Sequence, residues 1–239
     1  MLTSFIAMDI LSNQFVLLAL TFGVYFVACR CRQRMGQTWL NPILLTIIVL
    51  IVVLKAVDVP FETYQRSGSL IEFWLKPAVV ALGVPLYLQL KSIRRQLWPI
   101  IASQLAGCVA GIISVVLIAD LLGASREVIL SLASKSVTTP IAIEITSTVG
   151  GIPSLTAAVV VSVGIFGAMF GFQVLNLGHV GSPIAQGLSL GTASHAVGTS
   201  AALERGQRYG AFASLGLTIN GILTAILTPT ILELMGYMD

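Results

Sequence analysis

The chain has 239 residues, 56% of them apolar and only 10% charged, with a mean hydropathy of +0.95 and a formal net charge of +3. This composition excludes a soluble domain, and with no basic stripe or nucleic-acid motif it excludes a nucleic-acid binder as well. Apolar runs of about 20 residues recur along the chain, the mark of an all-α polytopic membrane protein, read here as one transmembrane domain over residues 1–239. The three cysteines carry little: Cys29 and Cys31 flank Arg30, and Cys108 lies within an apolar run. A lone C-x-C without histidines is no metal site, and no cofactor is expected. The first apolar stretch follows Asp9 and precedes basic residues, so it reads as a retained span and not as a cleaved signal.

Eight spans follow in order. Span one covers 11–28 and ends at Arg30, Arg32 and Arg34; span two, 40–54, opens with Asn41 as cap and Pro42 in the first turn. A mixed-charge loop, 55–69, holds Tyr64 as an interfacial anchor. Span three, 70–90, begins with Glu72 and Lys76, four apart and able to pair, and is broken or kinked at Pro77, Gly83 and Pro85. Lys91, Arg94 and Arg95 come next. Span four starts at Trp98-Pro99 and carries Gly107 and Gly111 as a face for close packing. Span five, 128–149, ends at Gly150-Gly151-Ile152-Pro153. Span six, 155–175, has a second small-residue face in Gly164, Gly167 and Gly171. Span seven runs over 184–203, and span eight, over 211–234, has Asn220 at its middle, read as a bond between helices. The count falls to seven if span two or seven is re-entrant.

The basic clusters at 30–34, 91–95 and 205–208 fall on one side of this path. By the positive-inside rule that side is the cytoplasm, which puts Gln65 and both termini outside.

Span five carries the chemistry. Lys135 is a charge at mid-span, where it costs several kcal/mol unless it faces protein or water. Ser134, Ser136, Thr138 and Thr139 crowd around it. Pro140 lacks an N–H and pushes Thr139 out of the helical region, so the helix should break there, with Thr139 capping a new half-helix. Free N–H groups and a positive dipole end beside a lysine make an anion site, which transporters build from discontinuous helices. Span seven shows a second such place, where Gly191 and Gly198 bracket Ser194, His195 and Thr199 and mark a break. The two breaks should meet at mid-membrane, with spans five and seven side by side. His195 either donates a bond between helices or carries a proton. Glu144 is either the counter-ion of Lys135 or a charge that reaches water, and with His195 it is a candidate proton carrier. Ser194-His195 has no orienting acid and no nucleophile elbow, so catalysis is not expected.

The runs Lys135-Ser136-Val137-Thr138-Thr139-Pro140-Ile141-Ala142, Gly150-Gly151-Ile152-Pro153 and Gly191-Thr192-Ala193-Ser194-His195-Ala196-Val197-Gly198-Thr199 resemble the signature of the LrgB/CidB family, and the stretch from Pro77 to Tyr87 fits its earlier motif. The resemblance covers residues 41 to the C-terminus. It implies a bacterial cell-membrane protein working with a small LrgA/CidA-like membrane partner. Bacterial members are described as antiholin-like modulators of murein hydrolase export and autolysis. Plant plastid members fuse both parts and carry glycolate and glycerate, and some bacterial pairs are linked to pyruvate uptake. Two positions depart from the pattern: Ala201 where many relatives have arginine, and Tyr209 where they have an acid. Joined to the broken helices, the resemblance implies a proton-coupled carrier of small carboxylates such as pyruvate, glycolate or lactate. Its site would be Lys135, Ser136, Thr138, Thr139, Ser194, His195 and Thr199. The resemblance, together with the glycine faces of spans four and six, implies a homodimer.

Overall fold

The computed structural model describes residues 13–35, 40–81 and 83–238, apart from the side chains of 72, 75, 76, 78, 79, 83, 85 and 86. The Glu72–Lys76 pair lies outside the described residues. Eleven α-helices and no strand are found among those described, and the chain divides into two compact units, Met1–Ala81 and Leu82–Asp239.

The first unit holds α1 (Gln14–Met35), α2 (Pro42–Ala56) and α3 (Phe61–Ala81). Asn41 caps α2 as expected, its side chain accepting from the N–H groups of Ile43 at 2.8 Å and Leu44 at 3.4 Å. One expectation fails here: residues 61–69 are the first turns of α3 and not a loop. Pro77 is carried inside that helix, which ends at Ala81, and a separate helix begins at Gly83. Tyr64 consequently faces α1, with its hydroxyl 3.1 Å from Thr21 Oγ1, and makes a contact between the two helices.

The second unit starts with two short helices, α4 (Gly83–Leu88) and α5 (Leu90–Arg95), and a long one, α6 (Leu97–Leu121). The buried face of α6 is Ile100, Gln104, Cys108, Ile112, Val116 and Ala119, a single stripe at helical spacing. Next come α7 (Arg126–Leu132), α8 (Thr139–Val149), α9 (Pro153–Leu177), α10 (Pro183–Arg205) and α11 (Gln207–Leu234). Among the described residues, four helices are long and apolar enough to cross a membrane: α1, α6, α9 and α11.

The segments read as spans five and seven do not cross; each folds back on itself. In the first, Ile152 N–H donates to Ser131 Oγ at 2.7 Å, and Thr156 Oγ1 donates to the Ser131 carbonyl at 2.9 Å. The far end of α8 therefore returns beside α7, and the connection 133–138 forms the tip of a hairpin. In the second, a Cβ on Gly198 would come within 2.7 Å of the Leu190 carbonyl, so the chain has doubled back between them. The reversal sits at Ser194 (φ −132°, ψ 18°) and His195 (φ 42°, ψ −135°). Gly150 (φ 83°) ends α8 in the left-handed conformation, and Gly206 alone joins α10 to α11.

Contacts fix which ends coincide. Gly187 packs on Tyr209 and Phe212, and Ile93 and Ile100 share a cluster with Leu188 and Phe212, so α6, α10 and α11 begin at one end of the unit. Arg126 Nε donates to the Tyr237 carbonyl at 2.8 Å, so α7 begins where α11 ends. The unit is thus a long helix, a hairpin entering from one end, a long helix, a hairpin entering from the other, and a last long helix. An alternating eight-span path would put the turns at 150–152 and 178–182 the other way round.

Candidate functional site

Both hairpin tips lie at the middle of α11, and Asn220 joins them. Its Nδ2 donates to the Thr192 carbonyl at 3.0 Å and to the Ser136 carbonyl at 3.4 Å. Both partners can only accept, which fixes the amide orientation and leaves the buried Oδ1 without a donor among the described residues. The sequence suggested a bond between helices; the structure makes Asn220 the clasp between two reversals.

A cavity of about 510 Å³ opens beside this clasp. It runs from the end where α6 and α10 begin, at Gln96 and Ser182, down to Ala133, Lys135 and Thr224. Gly107 and Gly111 leave room for it along α6. Lys135 is the one charged side chain among the described residues that line it. Its ammonium donates to Ser136 Oγ at 3.1 Å, leaving the remaining N–H donors available to a ligand. Gln104, which the sequence reading overlooked, is 3% exposed and accepts from Thr192 Oγ1 at 2.6 Å. An amide on the buried stripe of an otherwise apolar helix was the signal that could have revealed it.

The other expected site residues are placed elsewhere. Thr138, not Thr139, is the N-cap of α8, with no side-chain cap bond; Thr139 and Pro140 form its first turn, and none of the three lines the cavity. Glu144 lies on the exposed face of α8 with Pro140 and Ile141, so it is not the partner of Lys135. His195 points into α9, its Nε2 2.9 Å from the Val160 carbonyl, and Thr199 Oγ1 donates to the His195 carbonyl at 2.8 Å. Ser194 is buried against Gly167. The second reversal therefore presents Thr192 and Ala193 to the cavity and turns Ser194, His195 and Thr199 away from it.

The glycines of these segments work by closeness. Gly164 and Gly167 receive His195 and Ser194, and Gly171 receives Leu190, so this face of α9 is filled within the chain and lends no support to self-association. Gly191 lies against the Ala213 carbonyl of α11, and neither it nor Gly198 is the break, which falls between them. Gly191→Ala would press a methyl group into backbone that cannot rotate away, at a cost of about 1–3 kcal/mol. Gly111→Ala meets nothing within 4 Å. Melting of the detergent-solubilised protein should therefore drop by several degrees for the first variant and hold or rise for the second.

Hydroxyls hold the first hairpin to α9. Ser134 Oγ is 3.3 Å from Thr146 Oγ1, which is 2.9 Å from Thr156 Oγ1, itself a donor to the Ser131 carbonyl. Gly151 permits the approach, since a Cβ there would lie 2.9 Å from Ser131 N. None of these residues lines the cavity.

These helices and this site define an all-helical, multi-pass membrane protein, with paired hairpins around a polar centre. The chain belongs to the LrgB-like family, whose model matches residues 21–234. It is 35% identical to the uncharacterized protein YxaC of Bacillus subtilis over 92% of this chain and 95% of that one. It is 32% identical to the holin-like protein CidB of Staphylococcus epidermidis and 33% identical to that of Staphylococcus aureus, in both cases over 92% of this chain and 96% of the relative. The relatives are bacterial, and the family is one of holin-like membrane proteins and not of enzymes. No solved structure matches the chain significantly.

Proposed function

We propose that the protein carries small carboxylates across the bacterial cell membrane. The observation that supports this most is the Lys135 cavity between two hairpin tips clasped by Asn220. A carboxylate leaving water loses several hydrogen bonds, and a site that offsets the loss needs fixed donors and a compensating charge. Lys135 and Ser136 supply them from the first tip. Two hairpins entering from opposite ends suit alternating access, in which one half opens as the other closes. The basic residues 91–95 and 205–208 stand at the end where the cavity opens, so by the positive-inside rule the cavity faces the cytoplasm and the C-terminus lies outside. Arg30, Arg32 and Arg34 at the end of α1 put the N-terminus outside by the same rule.

Coupling to protons keeps its energetic motive, since an uncompensated charge costs about 2.3 kcal/mol per 100 mV. With His195 and Glu144 away from the cavity, Lys135 is the group that balances the charge of the cargo. A small LrgA/CidA-like partner and a homodimer remain part of the proposal on the family resemblance alone. The Staphylococcus relatives are named holin-like proteins, and with the family resemblance this supports a second reading, an antiholin-like regulator of murein hydrolase export and autolysis that moves no metabolite.

Uptake of labelled pyruvate, glycolate and lactate into proteoliposomes, with and without the partner, separates the two readings. Saturable uptake that Lys135→Ala removes is expected; none under either condition would leave regulation standing. Topology has its own test. In a cysteine-free background, Val180→Cys should label from the cytoplasm and Ile152→Cys from outside. A path of eight single crossings gives the reverse pattern.

A further inference from the structure

A second feature of this unit lies outside the central cavity. The helix α5 is amphipathic in a specific sense: Ile93 is buried, packed with Ile100, Leu188 and Phe212, while Lys91, Arg94 and Arg95 point outward. The three cations are at i, i+3 and i+4, so they share one helix face. With Tyr87, Leu88 and Leu90 they border an open groove of about 610 Å³. No carboxylate lines this groove among the described residues. Tyr87 and Leu88 are largely exposed, and so is Trp98 at the start of α6.

A groove lined by three cations and by exposed apolar and aromatic side chains fits one kind of molecule, whose head is anionic and whose tail is apolar. The position agrees. Aromatic side chains of this type sit at the headgroup level of a bilayer, and α5 stands at the foot of the membrane-crossing α6. Arg94 and Arg95 offer planar forks that match two phosphate oxygens, and Lys91 adds a point charge. A free inorganic anion would use the cations and leave Tyr87, Leu88 and Leu90 in water. We propose that this groove binds the headgroup of an anionic phospholipid, with the first part of an acyl chain lying along Tyr87 and Leu88.

The full chain, purified in mild detergent and exchanged into nanodiscs of equal phosphatidylglycerol and phosphatidylcholine, provides the test. Lipid retained after release would be read by native mass spectrometry. Each cation near an anionic lipid contributes about fivefold, so three should enrich phosphatidylglycerol by up to about a hundredfold. Enrichment is expected in the wild type and should fall nearly to parity in K91Q/R94Q/R95Q. It should persist in R208Q, which removes an exposed cation from the same end but outside the groove. Melting temperatures of the variants check that each is folded. Equal retention of both lipids by the wild type would overturn the proposal, as would an equal loss in R208Q. If inorganic phosphate at tens of millimolar displaced the lipid completely, the groove would be a simple anion site and the lipid assignment would fail. None of these results depends on whether the central cavity transports anything.

Discussion

Lys135→Ala is expected to weaken binding of a short carboxylate by about thirtyfold or more, since loss of a charged partner from a buried pair costs roughly 2–5 kcal/mol. The figure follows from the cavity lining. Among the described residues no other cation borders it, so nothing replaces the ammonium when it is removed. Ser136→Ala removes a neutral contact and should cost about tenfold or less. Titration of purified protein with labelled pyruvate or lactate would measure both. Unchanged affinity in Lys135→Ala would place the anion site elsewhere. His195→Ala and Thr139→Ala carry a different expectation, because neither residue lines the cavity. For His195→Ala the loss is the bond to the Val160 carbonyl and the ring that fills the space over Gly164, so thermal stability should fall while affinity stays. Of the two roles the sequence left open for His195, a bond between helices and a carrier of protons, this expectation rests on the first.

The polar centres of the two hairpins were legible in the sequence; their reversals were not. A crossing helix and a folded hairpin both need about 20 mostly apolar residues, so length and composition do not separate them. Pro140 and the hydroxyls around Lys135 announced a break, yet a break is compatible with the chain continuing or turning back. What decides is tertiary: Gly151 lets the end of α8 approach Ser131, and Ser131 then bonds Ile152 and Thr156. The second reversal was hidden more deeply. It occurs at His195 in a conformation that turns normally give to glycine, held by Val160 from one side and made possible by Gly164 and Gly167 across the contact. Residue types near 195 pointed to the flanking glycines instead. Charge patterning nonetheless kept residues 205–208 at the same end as 91–95. Two unseen reversals cancel, so within this unit residues 91–95 and 205–208 share one end, while the turns between them do not follow the eight-span path.

Packing glycines show the same limit. Gly164, Gly167 and Gly171 were recognised as a surface for close helix contact, which they are. Sequence spacing says nothing about whether the approaching helix comes from another copy or from the same chain. Here it is α10, and the face that implied a dimer is spent on holding Leu190, Ser194 and His195.

Asn220→Asp should abolish transport more completely than Asn220→Ala, although aspartate is nearly the same size. The reason lies in the direction of the two hydrogen bonds. Asn220 donates to the carbonyls of Ser136 and Thr192, one from each hairpin tip. Alanine removes both donors and leaves two buried acceptors unsatisfied, at about 1–3 kcal/mol each. The tips lose their clasp, and uptake should fall by about tenfold or more. Ionised aspartate does the same and also sets its lone pairs against both carbonyl oxygens, next to the place proposed for an anion. Its alternative is to pair with Lys135, which neutralises the charge on which binding depends. Either outcome removes carboxylate binding, whereas Asn220→Ala should retain measurable affinity through Lys135 and Ser136. Comparing binding with uptake for the two variants therefore separates the clasp from the site. If Asn220→Asp transported at the wild-type rate, the two tips would not need to be joined through α11 for the carrier to work.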